Sequence, residues 1–127
     1  MADLLEQAAA WLDQMRTRHV SRLVTYRRGD TSVEVQATLG RRTYDVDDGA
    51  GALVAAQSID FIVSAAALVL GGNVVLPERG DRITVTQDGG ARVFEVTSPG
   101  GAMAHWEPSD PWGKTLRIHT KHVATET

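Results

Sequence analysis

The chain has 127 residues, of which 43% are hydrophobic and 23% charged, and its formal net charge at pH 7 is -3. This length predicts one domain with a small core, and the acidic balance argues against a dedicated nucleic-acid-binding protein. The absence of cysteine excludes disulfide scaffolds, thiolate metal sites and cysteine nucleophiles. We expect no membrane span or secretory signal, because the longest apolar stretch, residues 59–70, is too short and residues 1–19 lack a signal pattern.

Residues 2–19 predict an amphipathic N-terminal helix. Acidic side chains lie early in this segment and basic ones late, which suits the helix dipole, and no glycine or proline interrupts it. Its apolar residues recur at three- and four-residue spacing and form one stripe: Leu4, Ala8, Trp11, Leu12 and Met15.

Residues 20–123 predict a β-module, because the hydrophobic period changes from 3.6 to 2 after His19. Turn signals such as Arg28-Gly29-Asp30 and Asp88-Gly89-Gly90 separate the alternating runs. The sequence therefore predicts a single, mainly β domain over residues 1–127: a small antiparallel barrel or sandwich of six or seven strands with the N-terminal helix. The predicted strands are residues 20–27, 32–39, 41–46, 58–63, 82–87, 92–97 and 114–121.

Four of the segments outside the predicted strands have a predicted form of their own. Residues 47–56 are rich in glycine and alanine and predict a loop, and Ser64 is a candidate cap for one helical turn over residues 65–67. Residues 99–113 contain several prolines and glycines and predict a long loop, and residues 124–127 predict a frayed tail.

No pattern in the chain predicts a metal, cofactor or catalytic site. His119 and His122 are three residues apart, which places them on opposite faces of a strand. The acidic run Asp45, Asp47 and Asp48 lacks the spacing of an EF-hand loop. The chain has no phosphate-binding glycine loop and no Gly-x-Ser-x-Gly elbow. An enzyme would require a pocket that joins His105 and His119 to a carboxylate such as Glu107.

Two other patterns have a structural and a functional interpretation each. Arg-Gly-Asp occurs at residues 28–30 and 79–81, where we predict turns rather than adhesion motifs. On the last strand Arg117, His119 and Lys121 share one face, which forms either a solvated face or a basic stripe that docks an acidic partner.

Two tryptophans stand in the long loop before the last strand. Trp106 and Trp112 bracket a proline-containing segment, and long loops are often functional. Each side chain either folds back onto the domain or anchors a protein interface, and we predict an interface role for at least one.

The order of these elements resembles that of phage head-tail joining proteins, the family of the phage lambda head-tail attachment protein, and more loosely that of head-closure proteins. A helix that begins Met1-Ala2-Asp3 leads into β-strands, among them Ser58-Ile59-Asp60-Phe61-Ile62-Val63. Pro77-Glu78-Arg79-Gly80-Asp81-Arg82-Ile83 then enters a hairpin whose return strand is Arg92-Val93-Phe94-Glu95-Val96.

The resemblance implies a structural virion protein rather than an enzyme. It implies a hexameric or twelve-fold ring between the portal or adaptor and the tail-terminator proteins, with DNA passing through the lumen without sequence-specific binding. An acidic segment at residues 45–48 and a basic strand at residues 117–121 are candidates for a contact between ring neighbours. The alternative is a small bacterial β-barrel that binds a ligand or peptide.

Overall fold

The computed structural model describes residues 21–47, 50, 53–87, 89–99 and 104–126, with backbone only at residues 42–47 and 53–57. The predicted N-terminal helix lies outside the described residues. A 3₁₀ turn spans Ala65–Ala67. The strands are β1 Arg22–Arg28, β2 Thr31–Asp47, β3 Leu53–Ser64, β4 Val69–Leu70, β5 Asn73–Val74, β6 Arg82–Gln87, β7 Gly90–Val96, β8 Trp106–Pro108 and β9 Thr115–Glu126.

Six of these strands form a closed antiparallel barrel. The neighbours follow the order β3-β2-β1-β6-β7-β9, and β9 pairs back with β3 to close the sheet. The long strand β9 makes this closure possible, because its first half pairs with β3 and its second half with β7. β8 is an extra strand beside the first half of β9, and β4 and β5 form a separate small hairpin. The closed sheet confirms the predicted mainly β class. Of the two predicted architectures, it is the barrel and not the sandwich.

Alternate residues of the barrel strands fill its interior. Phe61 and Phe94 meet edge to face, with ring centroids 5.2 Å apart. Burying an aliphatic or aromatic side chain of this kind contributes roughly 1.5–3 kcal/mol, so the interior is the main source of stability. The largest fully buried apolar side chains are Tyr26, Phe61, Phe94, Ile59, Leu68, Ile83 and Ile118.

Three strands are longer than the sequence predicts. The predicted break at Gly40 is absent, because this glycine lies within β2 and pairs with Asp60. The predicted loop over residues 47–56 is shortened, since β2 extends to Asp47 and β3 begins at Leu53. The predicted frayed tail is largely wrong: β9 continues to Glu126 and pairs with the start of β7. Strand pairing overrides the weak β propensity of glycine, alanine and aspartate here.

The predicted turns are confirmed. Arg28 pairs with Thr31 across a two-residue turn, and Gly29 has a φ of 60°, a conformation that glycine adopts without strain. Residues 65–67 form the predicted helical turn, but the side chain of Ser64 does not cap it.

The β2–β3 hairpin runs past the closed part of the barrel. β1 pairs with β2 as far as Ala37, and β9 pairs with β3 only from Ile59 onward. The six register pairs from Arg42–Ser58 to Asp47–Leu53 therefore have no third strand among the residues that the structure describes. We call this ribbon, residues 42–47 and 53–58, the β2–β3 arm; at about 3.3 Å per residue it is roughly 20 Å long.

Candidate interaction surfaces

A buried carboxylate joins the two strands that close the barrel. Asp60 on β3 is 0% exposed, and its Oδ2 accepts a hydrogen bond from Arg117 Nε on β9 at 2.5 Å. Its Oδ1 accepts one from Ser58 Oγ at 2.6 Å and lies 2.9 Å from His119 Nδ1. Because a buried carboxylate is stable only when it is paired and hydrogen-bonded, this Asp60 cluster links β3 to β9 through side chains as well as backbone.

The Asp60 cluster favours the charged carboxylate. Burial alone would raise the pKa of Asp60, but hydrogen bonds from His119, Ser58 and Arg117 outweigh it and hold the pKa below its usual range. The geometry is not that of a serine-hydrolase triad, in which histidine lies between serine and aspartate. Here Ser58 and His119 share the same carboxylate oxygen, so in this arrangement the imidazole has no hydrogen bond to the hydroxyl it would activate.

Three histidines have separate partners. His105 Nε2 lies 2.7 Å from the carbonyl oxygen of Pro77, and His119 binds Asp60. The His122 ring packs on Phe94 with centroids 5.3 Å apart. His119 and His122 therefore lie on opposite faces of β9, as the sequence predicts. Within the described ranges no three histidine or carboxylate side chains gather as metal ligands.

A second buried carboxylate, Asp81, belongs to the second Arg-Gly-Asp segment. Asp81 accepts hydrogen bonds from Tyr26 Oη, from Arg28 Nε at 3.0 Å and from the backbone N–H of Glu78 at 3.0 Å. Burial, followed by the hydrogen bond to Asp81, raises the pKa of Tyr26, so the phenol remains a donor at neutral pH. The predicted turn is confirmed by a φ of 91° at Gly80, and Asp81, only 4% exposed, is not available for adhesion.

The two tryptophans have different environments. Trp106 lies in β8 and packs against the barrel core, whereas the side chain of Trp112 is 79% exposed. Trp112 stands on a tight turn in which Asp110 accepts hydrogen bonds from the backbone N–H of Thr115 at 2.7 Å and of Trp112 at 3.2 Å. The Thr115 N–H is the main cause of the lowered pKa of Asp110. A single large apolar side chain is thus held in solvent on an ordered turn.

The comparisons with known proteins identify the family. A family model described as phage head-tail joining protein matches residues 2–127. The chain belongs to this family. No curated protein and no solved structure matches the chain. The resemblance seen in the sequence is confirmed, and membership makes the chain a structural component of a phage virion.

The joining protein does not present the predicted basic stripe as a continuous surface. Arg117 and His119 do share one face of β9, but both bind Asp60 of the same chain, and His119 is only 1% exposed. The acidic partner of these two residues is therefore internal, and His119 is wrong as a surface docking residue. Lys121 remains exposed. Alternation along a strand predicts a shared face, but it does not show what covers that face.

The acidic candidates of the joining protein lie at the far end of the β2–β3 arm. The backbones of Asp45 and Asp47 pair with Ala55 and Leu53, and Asp48 lies outside the described residues. Asp45 thus lies in a strand as predicted, whereas Asp47 belongs to β2 rather than to the predicted loop. The described part of the joining protein contains no helix long and apolar enough to cross a membrane.

Proposed function

We propose that this protein joins head to tail by assembling into a ring between the portal or adaptor and the tail-terminator proteins of the virion. DNA passes through the ring without sequence-specific binding, and the protein performs no catalysis. A hexamer or a dodecamer is the expected ring, formed in the cytoplasm of the bacterial host. Family membership over residues 2–127 supports the joining role.

The observation that carries the ring proposal is the β2–β3 arm. An isolated two-stranded ribbon is marginally stable in water, and its unpaired edges are templates for another strand. The arm extends six register pairs beyond the barrel without a third strand among the described residues. A neighbouring copy that packs on the arm supplies what the ribbon lacks, and contacts between different faces of neighbours close into a ring.

Charge favours the same arrangement of neighbours. The arm carries Asp45 and Asp47 near its end, next to Asp48 in the sequence, while Lys121 is exposed on the barrel wall and Arg117 is partly exposed. Placed against the Lys121 face of the next copy, the acidic end of the arm meets a cation. Complementary rim charges of this kind select the partner and orient it more than they add affinity.

Shortening the arm in register tests the proposal. Deleting residues 43–47 and 53–57 keeps the Arg42–Ser58 pair and the connecting residues 48–52. We expect a folded monomer that forms no rings in electron micrographs and does not rescue a phage lacking this protein, so that filled heads and free tails accumulate. A matched control deletes two register pairs, Thr43–Gln57 and Tyr44–Ala56, which shortens the arm by two residues per strand and keeps the alternation of the remaining pairs. If the variant that lacks residues 43–47 and 53–57 gave normal rings and infectious particles, the arm would not be an assembly element.

Trp112→Ala tests the other exposed candidate. Because its indole is 79% exposed, removing it changes stability by less than about 0.5 kcal/mol. As a desolvated anchor in an assembled joint it would be worth roughly 2 kcal/mol or more. We therefore expect phage yield to fall while the urea midpoint is unchanged, and Leu23→Ala, an exposed apolar residue on the barrel wall, is the matched control. Equal phage yields for the two variants would show that Trp112 is not part of the interface.

A further inference from the structure

The exposed apolar side chains are concentrated at one end of the barrel. Five large apolar residues of the described chain are exposed, and only Leu23 lies on the barrel wall. The others belong to the β4–β5 segment and to the turn before β9, with Val74 65% and Leu76 55% exposed. Concentrations of this kind mark interaction sites. We call the four residues the end patch: Val69, Val74, Leu76 and Trp112.

The end patch is built on anchored segments. Val69 and Val74 are cross-strand partners in the β4–β5 hairpin. The backbone N–H of Ala65 donates to the carbonyl oxygen of Lys114 at 2.9 Å, which ties this region to the Trp112 turn. Arg28 Nη2 donates to the carbonyl oxygen of Leu76 at 2.7 Å. A surface already held in place loses little conformational entropy when a partner binds.

The chain enters the barrel at the opposite end. β1 begins at Arg22 and ends at Arg28, the residue that holds the Leu76 carbonyl. At about 3.3 Å per residue, the start of β1 is roughly 20 Å from the end patch. The segment before it, residues 2–19, is the one that the sequence predicts to be an amphipathic helix.

We propose that the N-terminal helix of one copy docks on the end patch of a second copy. Its stripe includes Leu4, Trp11 and Leu12, apolar groups of the kind that fill such a surface. Its first turns carry Asp3 and Glu6, and the end patch is flanked in sequence by exposed Arg79 and Lys114. The nearer carboxylate, Glu78, is paired with Arg28.

The placement of the two elements favours a second copy over the same chain. Because β1 begins roughly 20 Å from the end patch, a helix that docked on the patch of its own chain would have to turn back along its own barrel. A donor at one end of a protomer and a receptor at the other make a heterologous contact, which closes into a ring or continues as a chain. The inference rests on the proposed self-assembly and names a contact for it in addition to the arm.

Complementation between two full-length variants tests the contact. Leu12→Asp disables the donor helix and keeps the end patch, and Trp112→Asp disables the patch and keeps the helix. In analytical ultracentrifugation we expect wild type to associate with concentration. Each variant alone associates at least about tenfold more weakly than wild type. An equimolar mixture forms dimers at concentrations at which each variant alone is monomeric, because one intact helix and one intact patch remain. Leu23→Asp is the matched control and associates as wild type does.

Each other outcome overturns the inference. A mixture that stays monomeric shows that helix and patch do not pair, and variants that associate as wild type place the contact elsewhere. If wild type stays monomeric while the mixture dimerises, the helix of the wild-type protein docks on the patch of its own chain. Circular dichroism confirms that both variants fold.

Phage rescue separates this inference from the proposed function. Variants that lose pairing in solution but still join heads to tails overturn only the helix contact. If a phage that lacks this protein still joins heads to tails, the joining role itself is overturned, whatever the variants do.

Discussion

The two buried carboxylates of the barrel are stabilised in different ways. Asp60 lies on β3 opposite β9, and its described hydrogen-bond partners are all side chains: Ser58, Arg117 and His119. Asp81 lies in the turn before β6 and has a backbone N–H, a phenol and a guanidinium as donors.

This difference shows which cluster depends on tertiary closure. The donors of Asp60 on β9 are 57 and 59 residues away and reach it only when β9 pairs with β3. The Glu78 N–H is three residues from Asp81 and is supplied by the turn itself. Asp60 is therefore the more sensitive reporter of barrel closure, and three experiments test this ranking.

The largest expected effect is that of Asp60→Ala. Removing the carboxylate leaves the buried His119 and the partly buried Arg117 without their shared acceptor. Breaking a buried ion pair from one side costs about 3–5 kcal/mol, and we expect a loss of that size in the free energy of unfolding measured with urea. Glu34→Ala removes an exposed carboxylate from β2 and is the matched control, with an effect within about 0.5 kcal/mol. A loss of less than about 1 kcal/mol for Asp60→Ala would mean that backbone pairing alone closes the barrel.

Tyr26→Phe is expected to cost less. The substitution removes one donor to Asp81 and keeps the aromatic ring in the core, while Arg28 and the Glu78 N–H still serve the carboxylate. A hydrogen bond to a charged group contributes roughly 1.5–3 kcal/mol, so the same urea measurement should show a loss near 2 kcal/mol. A loss larger than that of Asp60→Ala would reverse the ranking of the two clusters.

Local sequence patterns predict the mainly β class of the barrel. They do not predict the hydrogen-bond clusters around the two buried carboxylates. Alternation in β6 and β7 and the glycine turns predicted strands and hairpins, because these signals depend on neighbouring residues. The sequence does not predict the full length of β2 and β3, because Gly40 and the alanines of β3 have weak β propensity. These residues are in strands because β2 and β3 pair along their whole common length. The pairing of Asp60 with His119 spans 59 residues, so no sequence window contains it. An aspartate within the apolar strand Ser58-Ile59-Asp60-Phe61-Ile62-Val63 was the available signal, because a charge in such a strand needs a partner.

The smallest effect is the pH dependence that Asp60 confers. Its pKa in the folded protein lies below the ordinary value of 3.8, so the unfolded chain takes up a proton first as pH falls. The stability that Asp60 contributes is therefore complete well above pH 3.8 and is lost as pH falls through the folded pKa. Between pH 5.5, below the ordinary histidine range, and pH 3.5, we expect the stability difference between wild type and Asp60→Asn to shrink by less than about 1 kcal/mol. Urea unfolding of both proteins across this window measures it. A difference that grew on acidification would require the folded carboxyl to bind its proton more tightly than the unfolded one, and the hydrogen bonds of the Asp60 cluster would then fail to offset burial.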